Sequence, residues 1–206
     1  MQSNAWLWSA AGHGGFPPRG SNLKCKAQEH LSSPWARPKP KYFFSLFFPP
    51  NREYKLVPAA QYLISKNTGR AAAAAAVARD GTGAFQGASV LITQGVTDPE
   101  SMEAIACREG LALASDLAIR KVRIASDNIN VVKNIRGDSK GIYGHIVQEI
   151  KARAGSFASS EFVHEGRASN EDAHKLARSS VYCDLGRQVW FLSPPKDICI
   201  SVPINN

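Results

Sequence analysis

The first clear hydrophobic pattern in the chain predicts a β-hairpin. The run 71–79 consists mostly of small apolar residues, which by propensity alone would favour a helix because alanine is the strongest helix former. A turn signal follows it, formed by Asp80-Gly81 and Gly83, and the β-rich run 85–92 (FQGASVLI) lies beyond the turn. A hairpin needs two strands, so the pattern favours a strand over 71–79.

After the hairpin, helical and strand patterns alternate. The segment TDPE (97–100) resembles a capping box with a proline in the first turn, and apolar positions at helical spacing follow it. The later elements are a strand over 121–126, helices over 128–136 and 141–154, a strand over 157–164, and a helix that Ser169 caps and that ends near residue 182. This alternation predicts an α/β sheet covered by helices.

The ends of the chain differ from its middle. We predict an irregular, basic and proline-rich leader over 1–58, a folded domain over 59–183 and a tail over 184–206. The leader has 8 Lys/Arg and 2 Asp/Glu, so it carries +6 of the net charge of +8. Such a segment attracts phosphate backbones nonspecifically or is simply solvated.

Cysteine spacing and hydropathy set the expected environment. The four cysteines are far apart and form no CxxC pair, which argues against a zinc site or a disulfide scaffold and is typical of a reducing compartment. No apolar run approaches the roughly 20 residues of a membrane helix, so no membrane partner is expected. These features indicate an intracellular protein, nuclear or cytoplasmic, with an organelle transit peptide as the weaker alternative. They leave the oligomeric state open.

Two acids stand out as candidates for chemistry. Asp127 follows the predicted strand 121–126, and Glu103 lies near the start of the predicted helix after Pro99. Acids at such positions often converge in open α/β sheets, and carboxylates suit Mg²⁺. The alternative is structural: Asp127 caps the next helix, and Glu103 is favoured by the helix dipole. Spacing alone favours the structural interpretation and leaves the other open.

Five segments together resemble the ribonuclease H type-1 family, in particular its plant reverse-transcriptase-like branch. They are SKNTGR (65–70), AAAAVARDGTGAFQGAS (73–89), DPESMEAIACREGLALA (98–114), VRIASDNINVVKNI (122–135) and SNEDAHKLAR (169–178). The resemblance implies an RNase H-like fold, a mixed five-stranded sheet with helices on both faces. It also implies an endoribonuclease in which four acids hold two Mg²⁺ (or Mn²⁺) ions that hydrolyse the RNA strand of an RNA–DNA hybrid.

The match to the four family acids is only partial. Glu103 stands at the helix acid and Asp127 at the acid after the fourth strand, so both are the predicted catalytic and metal-binding residues. Gln61 occupies the place of the first-strand acid, and His174 that of the last. His164 falls where many active members keep a histidine that assists product release.

Further residues are candidates for contact with nucleic acid. Asn67, Ser126, Asn128 and Arg123 are predicted to touch substrate, with a turn, helix caps and solvation as the alternatives. The segment before SKNTGR departs from the family pattern. The first strand is therefore altered, or residues 56–64 (LVPAAQYLI) form a substitute.

The two replaced acids shape the functional hypothesis. Their loss removes charge that would offset two divalent cations, and imidazole is a poor ligand for Mg²⁺. We expect an RNase H type-1-like protein that binds RNA–DNA hybrid or double-stranded RNA, with impaired metal-dependent hydrolysis. The alternative is a noncatalytic nucleic-acid-binding or protein-interaction module derived from a retroelement.

Overall fold

A mixed sheet of six strands lies at the centre of the fold. The computed structural model describes residues 52–65, 69–96, 98–137 and 141–195. Its strands are β1 (Glu53–Ser65), β2 (Gly69–Asp80), β3 (Phe85–Gln94), β4 (Lys121–Ser126), β5 (Ser159–His164) and β6 (Gly186–Phe191). They lie in the order β5-β4-β1-β2-β3-β6. Along β1, β2, β3 and β6 each strand is antiparallel to its neighbour, whereas β4 runs parallel to β1 and β5.

Helices cover both faces of the sheet, as the resemblance implied. They are α1 (Pro99–Asp116), α2 (Ile129–Arg136), α3 (Gly144–Ala154) and α4 (Glu171–Ser180), with a 3₁₀ turn (Arg167–Asn170) before α4. One core lies between the sheet and α1, α2 and α3. A second core lies on the opposite face, where α4 packs against the sheet. The RNase H-like fold class is therefore confirmed, with one strand more than expected.

The alanine-rich run is a strand because its small side chains pack on both faces. Even-numbered residues within 72–78 face the first core, and odd-numbered residues within 73–77 face the second. A side chain of one carbon lets a helix approach the sheet closely. A Cβ added at Gly110 of α1 would lie 3.5 Å from Ile124 Cδ1 and 3.9 Å from Ala76 Cβ. Burial in two cores thus overrides the helical propensity of alanine.

Strand β1 supplies the central strand, and the predicted substitute segment 56–64 lies within it. Twelve consecutive residue pairs join β1 to β2, and four join it to β4, ending at Leu56 opposite Ile124. Leu56 faces the first core and Val57 the second, so β1 alternates between two apolar environments. The unusual segment before SKNTGR therefore still completes the sheet.

The sheet extends beyond both ends of the predicted domain 59–183. Strand β1 begins at Glu53, and β6 lies inside the predicted tail, where it pairs with β3. Arg187 of β6 donates to Glu109 Oε1 and Asp116 Oδ2, each at 2.6 Å, and so ties the strand to α1. The short, arginine-containing β6 segment gave no alternation strong enough to predict it.

Two helix caps differ from the sequence prediction. Asp98 caps α1, because its Oδ2 accepts from both the backbone N and the Oγ of Ser101 at 2.7 Å, whereas Thr97 lies outside the described residues. Before α4 the chain forms a 3₁₀ turn, and Ser169 lies within this turn instead of capping the helix. The side chain of Asn170 at the end of that turn is buried.

Cysteines and hydropathy add two findings. Cys107 is free and fully buried on α1, as expected of a core residue, whereas Cys183 is disulfide-bonded, which the cysteine spacing did not indicate. In the part of the chain that the structure describes, helices are too short or too polar to cross a membrane.

Candidate functional site

Asp127 at the end of β4 forms the centre of the candidate site. The capping role that spacing suggested for it belongs to its neighbour: Asn128 Oδ1 accepts from the backbone N of Asn130 at 3.0 Å and of Val131 at 3.1 Å. Asp127 therefore points elsewhere. Its Oδ2 lies 3.0 Å from Nε2 of His174 on α4.

The partner of Asp127 is a buried histidine. His174 is only 5% exposed, and its Nδ1 is buried with no hydrogen-bond partner among the described residues. The hydrogen bond from His174 is the main cause that holds the pKa of Asp127 below its usual value, with the charge of Arg167 adding to it. Because Asp127 is thus ionised, His174 Nε2 carries the proton in this bond.

Glu103 reaches the same site from α1, which lies on the opposite face of the sheet from α4. Its Oε1 accepts from the backbone N of Ala60 at 3.3 Å, and its Oε2 is buried without a hydrogen-bond partner among the described residues. Burial, reinforced by the negative charge of Asp127, raises the pKa of Glu103 to about 7. Glu103 is therefore partly protonated at neutral pH.

A buried amide holds the two strands of the site together. The β1–β4 ladder ends at Leu56 and Ile124, just before Pro58, which has no N–H to donate. Asn170 Nδ2 donates to Pro58 O at 2.8 Å and to Ala125 O at 3.1 Å, so it bridges the strands where their own ladder stops. Sequence reasoning missed this residue, because an asparagine before a helix is normally interpreted as a cap.

Gln61 and His164 lie at the edges of this site. Gln61 follows Ala60, the residue that bonds to Glu103, and is partly exposed. His164 ends β5, is exposed, and pairs in register with Ser126, the residue before Asp127. The structure thus places Glu103, Asp127 and His174 together, with Gln61 and His164 next to residues of the site.

The residues predicted to contact nucleic acid have mainly local roles. Ser126 is fully buried, and its Oγ accepts from Asn128 N at 3.2 Å. Asn128 caps α2, which was the alternative considered for it. Arg123 forms ion pairs with glutamates in and after β5 at 3.7 and 4.0 Å. Asn67 lies outside the described residues.

The donor set does not fit a two-ion magnesium centre. Among the described residues, two carboxylates face the site; one is partly protonated at neutral pH, and the other already accepts from an N–H of the imidazole. No group of three or more His, Cys, Asp or Glu within the described ranges is placed to hold a metal ion. Two divalent cations need more negative charge than this site offers.

Arg167 is a site residue that the sequence did not single out. It lies in the 3₁₀ turn between β5 and α4, and its Nη1 is 4.0 Å from Asp127 Oδ2. Its side chain is 68% exposed, compared with 13% for Asp127. A lone arginine in a loop has no sequence signal that marks it, because its significance comes from the contact of the 3₁₀ turn with Asp127, 40 positions earlier in the chain.

The sequence of the chain matches a known protein family. A family model described as "Reverse transcriptase-like" matches residues 63–180, more than half of the chain. The chain belongs to this reverse transcriptase-like family, whose fold here is RNase H-like. No curated protein matches the chain.

Solved structures with the same fold include ribonuclease H domains. RNase H1 from the halophilic archaeon Halobacterium salinarum is 21% identical, with a TM-score of 0.53 over 63% of this chain and 97% of that one. The N-terminal RNase H domain of rv2228c from Mycobacterium tuberculosis is 22% identical, with a TM-score of 0.52 over 62% and 93%. LC11-RNase H1 in complex with RNA/DNA hybrid is 18% identical, with a TM-score of 0.52 over 62% and 96%.

Proposed function

We propose that this chain is an RNase H-like protein that binds RNA–DNA hybrid and hydrolyses it poorly or not at all. The observation that carries this proposal is the 3.0 Å bond between His174 Nε2 and Asp127 Oδ2. In this bond the imidazole occupies a carboxylate oxygen that a catalytic metal ion would need as a ligand. Of the two activities expected of the family, the proposal therefore keeps nucleic-acid binding and not efficient RNA hydrolysis.

The binding half of the proposal is supported by the fold and by charge. LC11-RNase H1, which has the same fold, has been solved with RNA/DNA hybrid bound. This chain carries a net charge of +8, and cations such as Lys133 and Arg136 are exposed on α2, the helix that begins beside the site. Arginine and lysine on such a surface attract phosphates.

The hydrolytic half is limited by electrostatics. Two-metal hydrolysis needs ionised carboxylates that offset two divalent cations and hold them close together. Here Glu103 has a pKa of about 7, and Asp127 already accepts a hydrogen bond from His174 and lies beside the charge of Arg167. Any bound Mg²⁺ or Mn²⁺ is therefore expected to be weakly held.

The proposal is tested with a hybrid that carries a labelled RNA strand. We expect saturable binding that weakens steeply with salt. With Mg²⁺ or Mn²⁺, we expect no RNA cleavage above that of the double variant Glu103→Gln, Asp127→Asn. Cleavage well above this background would refute the hydrolytic half. Absent or salt-independent binding would refute the binding half and leave the protein-interaction alternative.

A further inference from the structure

The replaced acids lower the negative charge at the mouth of the site, which is the exposed side of Asp127 where Arg167 lies. A site of four carboxylates repels a phosphate and needs cations between itself and the nucleic acid. Here Asp127 carries one negative charge, and the guanidinium of Arg167 beside it carries one positive charge. These two charges offset each other, and Glu103 is the one further acid of the site among the described residues. A phosphate can therefore approach this site without a bridging metal ion.

Arg167 is placed to contact a phosphate that approaches the site. Its Nη1 lies 4.0 Å from Asp127 Oδ2, which is within the attraction of the charges but beyond hydrogen-bond distance. The N–H donors of the guanidinium are thus not used up by Asp127, and the side chain is 68% exposed. His174 Nε2 lies closer to the same oxygen, at 3.0 Å.

The backbone around Arg167 is fixed on both sides. Glu165 N donates to Ser126 O at 3.0 Å, which continues the β4–β5 pairing past the end of β5. Ser169 N donates to Gly166 O at 2.9 Å within the 3₁₀ turn, and Asn170 is anchored to β1 and β4. A fixed backbone lowers the entropy cost of presenting the guanidinium to a ligand.

We propose that Arg167 binds a backbone phosphate of the nucleic acid directly at this mouth, so that binding does not depend on a divalent metal ion. The inference rests on the proposed function, namely that the chain binds RNA–DNA hybrid. Guanidinium is suited to the role because its planar donors match two phosphate oxygens.

The test measures the affinity of the full chain for a short RNA–DNA hybrid in EDTA over a series of salt concentrations, and with Mg²⁺ at one of them. We expect the two dissociation constants to agree within about twofold. In EDTA, Arg167→Ala should weaken binding roughly 5- to 10-fold and reduce the salt slope by about 1, as expected for the loss of one phosphate contact. Arg167→Lys should keep part of the affinity because it keeps the charge.

Arg120→Ala is the matched control. Arg120 is exposed, forms no ion pair within the described residues, and lies before β4. Asp127 follows the other end of this six-residue strand, about 20 Å away. Arg120→Ala changes the net charge by the same amount as Arg167→Ala, but we expect it to weaken binding less than twofold. Thermal melts of both variants verify that they are folded.

Each outcome decides a separate point. Binding in EDTA that Arg167→Ala weakens and Arg120→Ala spares supports the inference. Native binding that requires Mg²⁺ overturns the inference but leaves the proposed function standing. Equal losses for Arg167→Ala and Arg120→Ala overturn the specific contact and leave only a general charge effect. No binding under either condition refutes the proposed function itself.

Discussion

His174 Nε2 on α4 lies 3.0 Å from Asp127 Oδ2 at the end of β4, and both side chains are almost inaccessible to solvent. This hydrogen bond replaces a facing pair of acids with a donor and an acceptor that satisfy each other. A site of this kind is stable without a cation, whereas two facing carboxylates are not. The first prediction follows from this difference.

Changing His174→Asp should make stability depend on divalent cations. Two carboxylates then face each other in a buried site, and the loss of the pair should lower the free energy of unfolding in EDTA by on the order of 3 kcal/mol. Mg²⁺ or Mn²⁺ at about 100 times its Kd should recover about 3 kcal/mol of that loss. Thermal melts with and without metal measure the effect.

His174→Asn provides the control for this prediction. It also removes the imidazole, but it adds no negative charge, so its melting temperature should not respond to metal. If metal raises the melting temperature of His174→Asp no more than that of His174→Asn, a carboxylate at position 174 does not face a cation-binding position. A saturable response of the native protein would show that the pair leaves room for a metal ion.

Glu103 should make the protein less stable as the pH rises from about 4.5 to about 7. Its pKa in the folded state is about 7, above the ordinary 4.5, because it is buried and faces the charge of Asp127. The folded state therefore binds more protons in this window, and stability falls as the pH rises. Arg167 and the Ala60 N–H oppose the shift in pKa without cancelling it.

Glu103→Gln isolates this effect. The variant keeps the shape of the side chain but has no proton to lose. As the pH rises through the window, its free energy of unfolding should therefore increase relative to that of the native protein by on the order of 3 kcal/mol. Urea unfolding at about pH 5 and about pH 8 gives the difference. A constant difference between the two proteins at both pH values would mean that the pKa of Glu103 is not raised.

Asn170→Ala should destabilise the fold more than most asparagine substitutions. Its buried Nδ2 bridges Pro58 O and Ala125 O, and its removal leaves two strand carbonyls without this donor. We expect a loss of about 2–4 kcal/mol in the free energy of unfolding. Asn130→Ala is the control, because Asn130 is exposed and bonds to Glu100, so it should cost less than about 1 kcal/mol. Equal losses would remove the bridging role.

The main elements could be predicted from the sequence because local signals and tertiary packing agree there. Strand β4 follows alternating apolar positions and was predicted with its observed bounds, 121–126. The pairing of Glu103 with Asp127 followed from the family pattern. By contrast, the cap at Asn128 could not be separated from Asp127, since adjacent polar residues at a helix start are equally suited to capping.

Other parts of the site could not be predicted because they depend on contacts between distant segments. Asn170 bridges β1 and β4 from more than 40 positions along the chain, and only the interruption at Pro58 explains why a bridge is needed there. Strand β6 was missed because it depends on pairing with the distant β3 and on the ion pairs of Arg187 with α1, neither of which leaves a periodic pattern in the sequence.

Removing the anchor of β6 should therefore loosen the edge of the sheet. Arg187 donates to Glu109 and Asp116, and Glu109 is only 5% exposed, so Arg187→Ala leaves a buried carboxylate without this partner. We expect a loss of about 2–4 kcal/mol and faster amide hydrogen exchange in β6, including at Trp190. Arg153→Ala, which breaks an exposed pair within α3, should cost less than about 0.5 kcal/mol and leave exchange in β6 unchanged. If β6 exchanges at the same rate after Arg187→Ala as before it, backbone pairing with β3 is sufficient to hold the strand, and the ion pairs to α1 are not its anchor.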